Sequence, residues 1–154
     1  MGKKKIIIIS VIVFAILCFI IGYYICAKIT DYSPVIKANW NIDFAAYTDT
    51  TEIYSIDNVK SILGDGYRYY IFQYENEDGV SEMFDWSNEE GKTRYCPTYT
   101  KTVNEWLKQI NVPEEYYPDY SSCKYWYNKK EDNSEIIILW NDTKDKLYVV
   151  ELFM

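Results

Sequence analysis

Residues 123–153 read CKYWYNKKEDNSEIIILWNDTKDKLYVVELF, and this stretch decides the fold. Three apolar runs rich in β-branched and aromatic residues, Cys123 to Asn128, Glu135 to Trp140 and Leu147 to Phe153, are separated by two polar, turn-forming passages, Lys129–Ser134 and Asn141–Lys146. Strands joined by such short polar loops form an antiparallel meander. Ile136-Ile137-Ile138-Leu139 is apolar at every position, so the middle run is expected to be a central strand buried on both faces.

Working back from there, Thr102-Val103-Asn104-Glu105 has the form of a capping box, with the Thr side chain on the third amide and the Glu reaching back. Val103, Trp106, Leu107 and Ile110 follow at i, i+3, i+4, i+7, which predicts a helix over 102–111 with one apolar face, ended before Pro113 and laid on a sheet. Further upstream, Tyr67 to Glu75 is aromatic on both faces, as in a strand covered on both sides. Asp78-Gly79 supplies a hairpin signal, and Val80 to Trp86 is expected to return as its partner strand. Ile53-Tyr54-Ser55-Ile56 reads as a short strand. Trp40, Ile42 and Phe44 alternate in a piece that is either strand or short helix. The expected class is α+β: an antiparallel sheet with at least one packed helix.

The N-terminus differs in kind. Residues 1–5 form a basic tail, Met-Gly-Lys-Lys-Lys, and no side chain from Ile6 to Ala27 is charged. Twenty-two residues at ~1.5 Å each cross a hydrocarbon core of ~30 Å, and lipid demands that such a run be helical. Residues 6–27 are therefore expected to be a transmembrane helix. Tyr23 and Tyr24 would sit at headgroup level, and Lys3, Lys4 and Lys5 would stay on the cytoplasmic side. A cleaved signal peptide is the competing reading, but its apolar region is shorter, ~7–15 residues. Ile25-Cys26-Ala27 is also a poor cleavage site. Neither Cys18 nor Cys26 follows the small residues of a lipid-attachment site, and Ile6 stands where a myristoylation motif needs Ser or Thr. Residues 28–39 read as a stalk in which Pro34 discourages helix. Residues 40–154 then form an extracytoplasmic domain, with the protein placed at the cell membrane.

Charge narrows the partners. Lys3, Lys4, Lys5 and Lys28 precede residue 30 and all 23 acidic residues follow it, which leaves 12 basic residues and a net charge of −11 outside the membrane segment. Such a field repels nucleic acid and anionic lipid. Histidine is absent, which excludes Ser-His-Asp and Cys-His nucleophile systems and His-containing zinc sites. No P-loop and no G-x-G-x-x-G follows a strand, and no cofactor is expected. Carboxylate-only hydrolysis survives the exclusion, since a glycosidase needs only two acids. Glu75-Asn76-Glu77-Asp78-Gly79 resembles a calcium loop in composition, but Tyr74 stands where its first Asp ligand belongs and Asp85 where its Glu belongs, so no metal is expected. Gly64-Asp65-Gly66 reads as a tight entry into the following strand rather than an anion-binding nest.

Cys96 and Cys123 are a possible disulfide, closing a loop across the helix. Two buried thiols are the other reading. All five Trp and 15 of the 17 Tyr lie beyond the membrane segment, where rings suit sugar stacking, protein contacts or simply the faces of the sheet.

In layout the chain resembles a group of small, single-pass, membrane-anchored proteins of Gram-positive bacteria that have no assigned activity. The likeness rests on the N-terminal anchor, Gly64-Asp65-Gly66 before the aromatic Tyr67–Tyr74, and Asn141 to Tyr148 closing a hairpin into Val149-Val150-Glu151-Leu152. Members of that group often carry a histidine before the Gly-Asp-Gly, where this chain has Leu63. The resemblance implies a placement and a fold. The function expected from the whole sequence is a non-catalytic protein-interaction domain whose partner is another surface or secreted protein, such as a basic toxin met by an acidic immunity-type surface. Cell-wall glycan binding is the alternative, and a carboxylate-dependent hydrolase the third.

Overall fold

The computed structural model describes residues 12–21, 33–42, 50–59, 64–75, 78–84, 86 and 97–154. The chain divides into two compact units, Met1–Phe44 and Ala45–Met154. In the first, residues 12–21 (α1) are helical, and Ser33–Trp40 form a second helix, α2. The expected span 6–27 lies mostly outside the described residues, and no described helix is long and apolar enough to cross a membrane. Part of the expected stalk is helix instead. Pro34 falls in the first turn of α2, where a missing N–H leaves no bond unmade. The helix ends at Asn41, which takes the left-handed conformation (φ 55°) and donates its N–H to the Lys37 carbonyl at 2.9 Å.

The second unit is an α+β domain. Strands β1 (Thr50–Asp57), β2 (Gly66–Tyr74), β3 (Cys123–Lys129), β4 (Glu135–Asn141) and β5 (Lys146–Phe153) form one antiparallel sheet in the order β1-β2-β5-β4-β3. The C-terminal meander is as the sequence implied. Strand β4 is flanked on both sides and buried from Ile136 to Asn141, although β5 occupies the middle of the sheet. Its neighbour β2 buries Tyr69 and Ile71 on one face and Phe72 and Tyr74 on the other, which accounts for its unbroken aromatic run. The two hairpin turns of the meander each place one residue in the left-handed region, Asn133 (φ 68°) and Asp145 (φ 51°), both short polar types that tolerate it.

Helix α4 covers one face. It spans Pro97–Gln109 and so begins five residues before the expected start, leaving Thr102 inside the helix rather than at its cap. Proline supplies the pre-set φ of a first helical position, a start signal that competes with the capping box and wins here. The apolar stripe is as read: Val103, Trp106, Leu107 and Ile110 are buried against Tyr69, Ile71, Tyr125, Ile137, Leu139 and Val150. The helix closes with a Schellman motif. Asn111 (φ 56°) donates to the Lys108 carbonyl at 3.2 Å, Val112 donates to the Leu107 carbonyl at 3.0 Å, and both Val112 and Leu107 are buried.

The expected hairpin at Asp78-Gly79 and the strand Val80–Trp86 are not formed. Asp78–Met83 is a short helix, α3, and the antiparallel neighbours of β2 are β1 and β5. Val80, Met83 and Phe84 recur at i, i+3, i+4, a helical spacing that the turn signal had masked. Phe84 packs on Trp86 (5.2 Å) and on Trp126 of β3 (4.8 Å), and the Trp86 indole donates to the Val80 carbonyl at 3.2 Å.

Gly64 and Asp65 lead into β2, which begins at Gly66. At Gly66 φ is 148°, and a Cβ there would stand 2.5 Å from the Asn58 carbonyl oxygen and 2.8 Å from Val59 Cα, both backbone atoms that cannot swing away. Gly66→Ala is expected to destabilise the domain by about 1–3 kcal/mol, a loss readable as an earlier urea midpoint; an unchanged midpoint would show that the β1–β2 connection relaxes freely. At Gly64 (φ 80°) a Cβ meets nothing, so only the backbone conformation resists substitution there.

Candidate functional site

Among the described residues, a concavity lies at the β1 end of the α4 face. It is made by a break in register: Glu52 faces Phe72 and Tyr54 faces Ile71, so Ile53 is the extra residue of a β-bulge. Across from it, the 3₁₀ turn Glu114–Tyr116 is braced on the sheet. The Tyr69 hydroxyl donates to the Tyr116 carbonyl at 2.6 Å, and the Tyr116 ring stacks on Tyr54 with centroids 4.1 Å apart and planes at 21°. Between bulge and turn is a half-open cleft of ≈ 100 Å³ lined by Ile53, Ile71, Glu115, Tyr116, Tyr117, Lys146 and Tyr148. Its walls are rings and two Ile side chains, with one carboxylate and one ammonium present.

Burial keeps several tyrosines on this face protonated. Burial, then the neighbouring Cys123 and Asp119, pushes Tyr148 up to about 12. Burial likewise raises Tyr69 and Tyr120, with smaller contributions from nearby tyrosines. Tyr54 and Tyr117 are raised by burial and then by Tyr116 and Glu114 respectively. Such phenols donate hydrogen bonds and offer ring surface; they are poor bases and poor nucleophiles at neutral pH. Tyr120 donates to Asn104 Oδ1 at 2.7 Å, and the Tyr125 hydroxyl lies 3.1 Å from Thr100 Oγ1, so α4 is tied to the sheet by polar as well as apolar contacts.

Cys123 opens β3 with no exposed surface, and its thiol donates to the Asp119 carbonyl at 3.3 Å. Burial pushes it up to about 12, which keeps it protonated. The possible bridge to Cys96 involves a residue outside the described set. Nearby, Asp119 takes Lys144 at 2.9 Å and Ser121 at 2.7 Å, and the Lys144 bond holds its carboxyl below the usual range. Among the described residues no group of three or more His, Cys, Asp or Glu is placed to hold a metal ion.

One carboxyl group is deeply placed. Glu151 is fully buried in β5, opposite Arg68 of β2 in register. Arg68 bonds Asp57 through Nε at 2.8 Å and lies 4.7 Å from the centre of the Phe153 ring. Sequence reasoning did not single out this pair; a lone Glu between Val150 and Leu152 was its only signal. No protein-family model matches the chain, and no curated protein or solved structure matches it.

Proposed function

We infer that this chain is a single-pass membrane protein whose α+β domain lies on the extracytoplasmic side and works by binding another surface or secreted protein. The observation that carries the membrane part is α1. Its large side chains Ile12, Val13, Phe14, Ile16, Leu17, Phe19, Ile20 and Ile21 are 50–82% exposed, a continuous apolar surface that has no reason to face water. Lipid is the medium in which such a surface is stable, and the uncharged sequence on both sides of it extends far enough to span. The basic residues before it favour an inside N-terminus.

The binding part rests on the domain. Its cleft is walled by aromatic and Ile side chains, and burial keeps the Tyr148 and Tyr117 hydroxyls there protonated, a surface suited to contact. The described Trp and Tyr are all buried or half-buried, and a sugar platform needs a flat exposed row, so protein binding is the better supported of the two binding readings.

Fractionation tests the anchor. The chain is expected to stay with the membrane pellet through an alkaline carbonate wash and to dissolve in detergent, while protease added outside intact cells digests the domain. Recovery in the soluble fraction, or protection of the domain in intact cells, would overturn it.

A further inference from the structure

We propose that the outer edge of β1, from Thr51 to Asp57, is the docking site for an extended basic segment of a partner protein, which adds to the sheet as a further strand and seats one apolar side chain in the cleft beside Ile53. This deepens the protein-binding reading and rests on it. Among the described residues the sheet has two terminal strands, and they are finished differently. Strand β3 carries Lys124 and Lys129, placed in ion pairs with Asp142 (3.3 Å) and Glu135 (2.8 Å), the kind of charge that discourages a further strand. Strand β1 has no Lys, Arg or Pro, and Thr51, Glu52, Ile53, Ser55 and Asp57 are exposed.

A bulge ordinarily protects an edge. Here it lies near one end, and Tyr54 to Asp57 continue in unbroken register with Ile71 to Arg68, leaving a regular stretch on which main-chain bonds can form. The extra residue turns Ile53 (40% exposed) into the cleft wall with Ile71, Tyr116, Tyr117 and Tyr148. An incoming strand that pairs with Tyr54–Asp57 therefore runs toward a recess sized for one side chain. Glu115 and Lys146 in the lining offset each other, so the occupant of the recess is apolar. Around it the charge is negative: Glu52 on the strand and Glu114 on the facing turn, in a segment of net charge −11 beyond residue 30. A second copy of this chain would bring those carboxylates onto themselves, whereas a segment with Lys or Arg flanking its apolar anchor is complementary.

The test uses the full chain in its own membrane, with the photoreactive residue p-benzoylphenylalanine replacing Ser55 on β1 or, in a parallel strain, Asn128 on β3. Irradiation of intact cells is expected to give an adduct from position 55 whose cross-linked peptide, read by mass spectrometry, is net basic. Ile53→Lys should lower its yield at least tenfold and Ile53→Val should leave it intact. An adduct from position 128 alone, an acidic or neutral peptide, or a second copy of the chain would overturn the edge assignment. An impermeant lysine-reactive reagent separates the two levels: a protein captured by it without an adduct at position 55 sinks the docking edge alone, and no protein captured by either route sinks the interaction reading as well.

Discussion

Leu107→Ala lowers the unfolding free energy of the domain by about 2–5 kcal/mol, the range for removing a sealed Leu from a core that relaxes only partly. Leu107 is fully buried, and it serves two structures at once. Its side chain lies in the contact between α4 and the sheet, while its carbonyl accepts the Val112 N–H that closes the helix. A typical domain's total stability is about 5–15 kcal/mol, so the loss is a large fraction of it. Urea unfolding of the full chain, followed by tryptophan fluorescence, reads the change as an earlier midpoint with little change in slope. Lys108→Ala is the contrast: that side chain is exposed, and a change within about 0.5 kcal/mol is expected. Equal losses at the two positions would mean that α4 is not held as described.

Alkali unfolds the domain. Cys123 and Tyr148 are each raised to about 12, chiefly by burial, and Tyr69, Tyr74 and Tyr120 are raised further by the same cause. For an acid whose folded pKa lies above its unfolded one, the folded state favours the protonated form. The stability it contributes is complete below the unfolded values, ~8.5 for Cys and ~10 for Tyr, and is lost as pH rises toward the folded ones. Each sealed phenol removes ~1.4 kcal/mol per pH unit above its unfolded value. Four tyrosines and a thiol acting together exhaust a typical stability within one to two units above pH ~10. Tyrosinate absorbance and far-UV circular dichroism should therefore change in one cooperative step. Phenols that titrate near pH ~10 while the dichroism stays constant would show that water reaches them in the folded state.

How much of this was legible depends on how many independent signals each segment carried. The meander was readable because loop composition, strand length and β-branched content agree from Cys123 to Phe153. The buried face of α4 was readable from Val103, Trp106, Leu107 and Ile110, but its start was not, because Pro97 and Thr102 are both valid openings five residues apart. Asp78-Gly79 misled because a turn dipeptide outweighed a six-residue helical pattern, and so short a helix owes its existence to what Val80 and Phe84 pack on. The pairing of β2 with β5 joins Gly66 to Phe153, a contact no local pattern encodes. The cleft followed that rule too: the bulge at Ile53 is a property of two strands in register, and the stacked turn at Tyr116 belongs to a third segment.

The place of β5 in the sheet has a consequence for biosynthesis. Strands β1 and β2 form one antiparallel pair and β3 and β4 another, and β5 alone joins them, pairing with β2 on one side and β4 on the other. A nascent chain that has reached only as far as Asn141 holds two unconnected ribbons, each with an unpaired inner edge rich in Ile, Tyr and Trp. Folding of the domain therefore waits for residues 146–153 to emerge. Until then β2 and β4 expose the surfaces that holdase chaperones and proteases recognise, so a ribosome stalled before Lys146 delivers a substrate for degradation rather than a partly working domain.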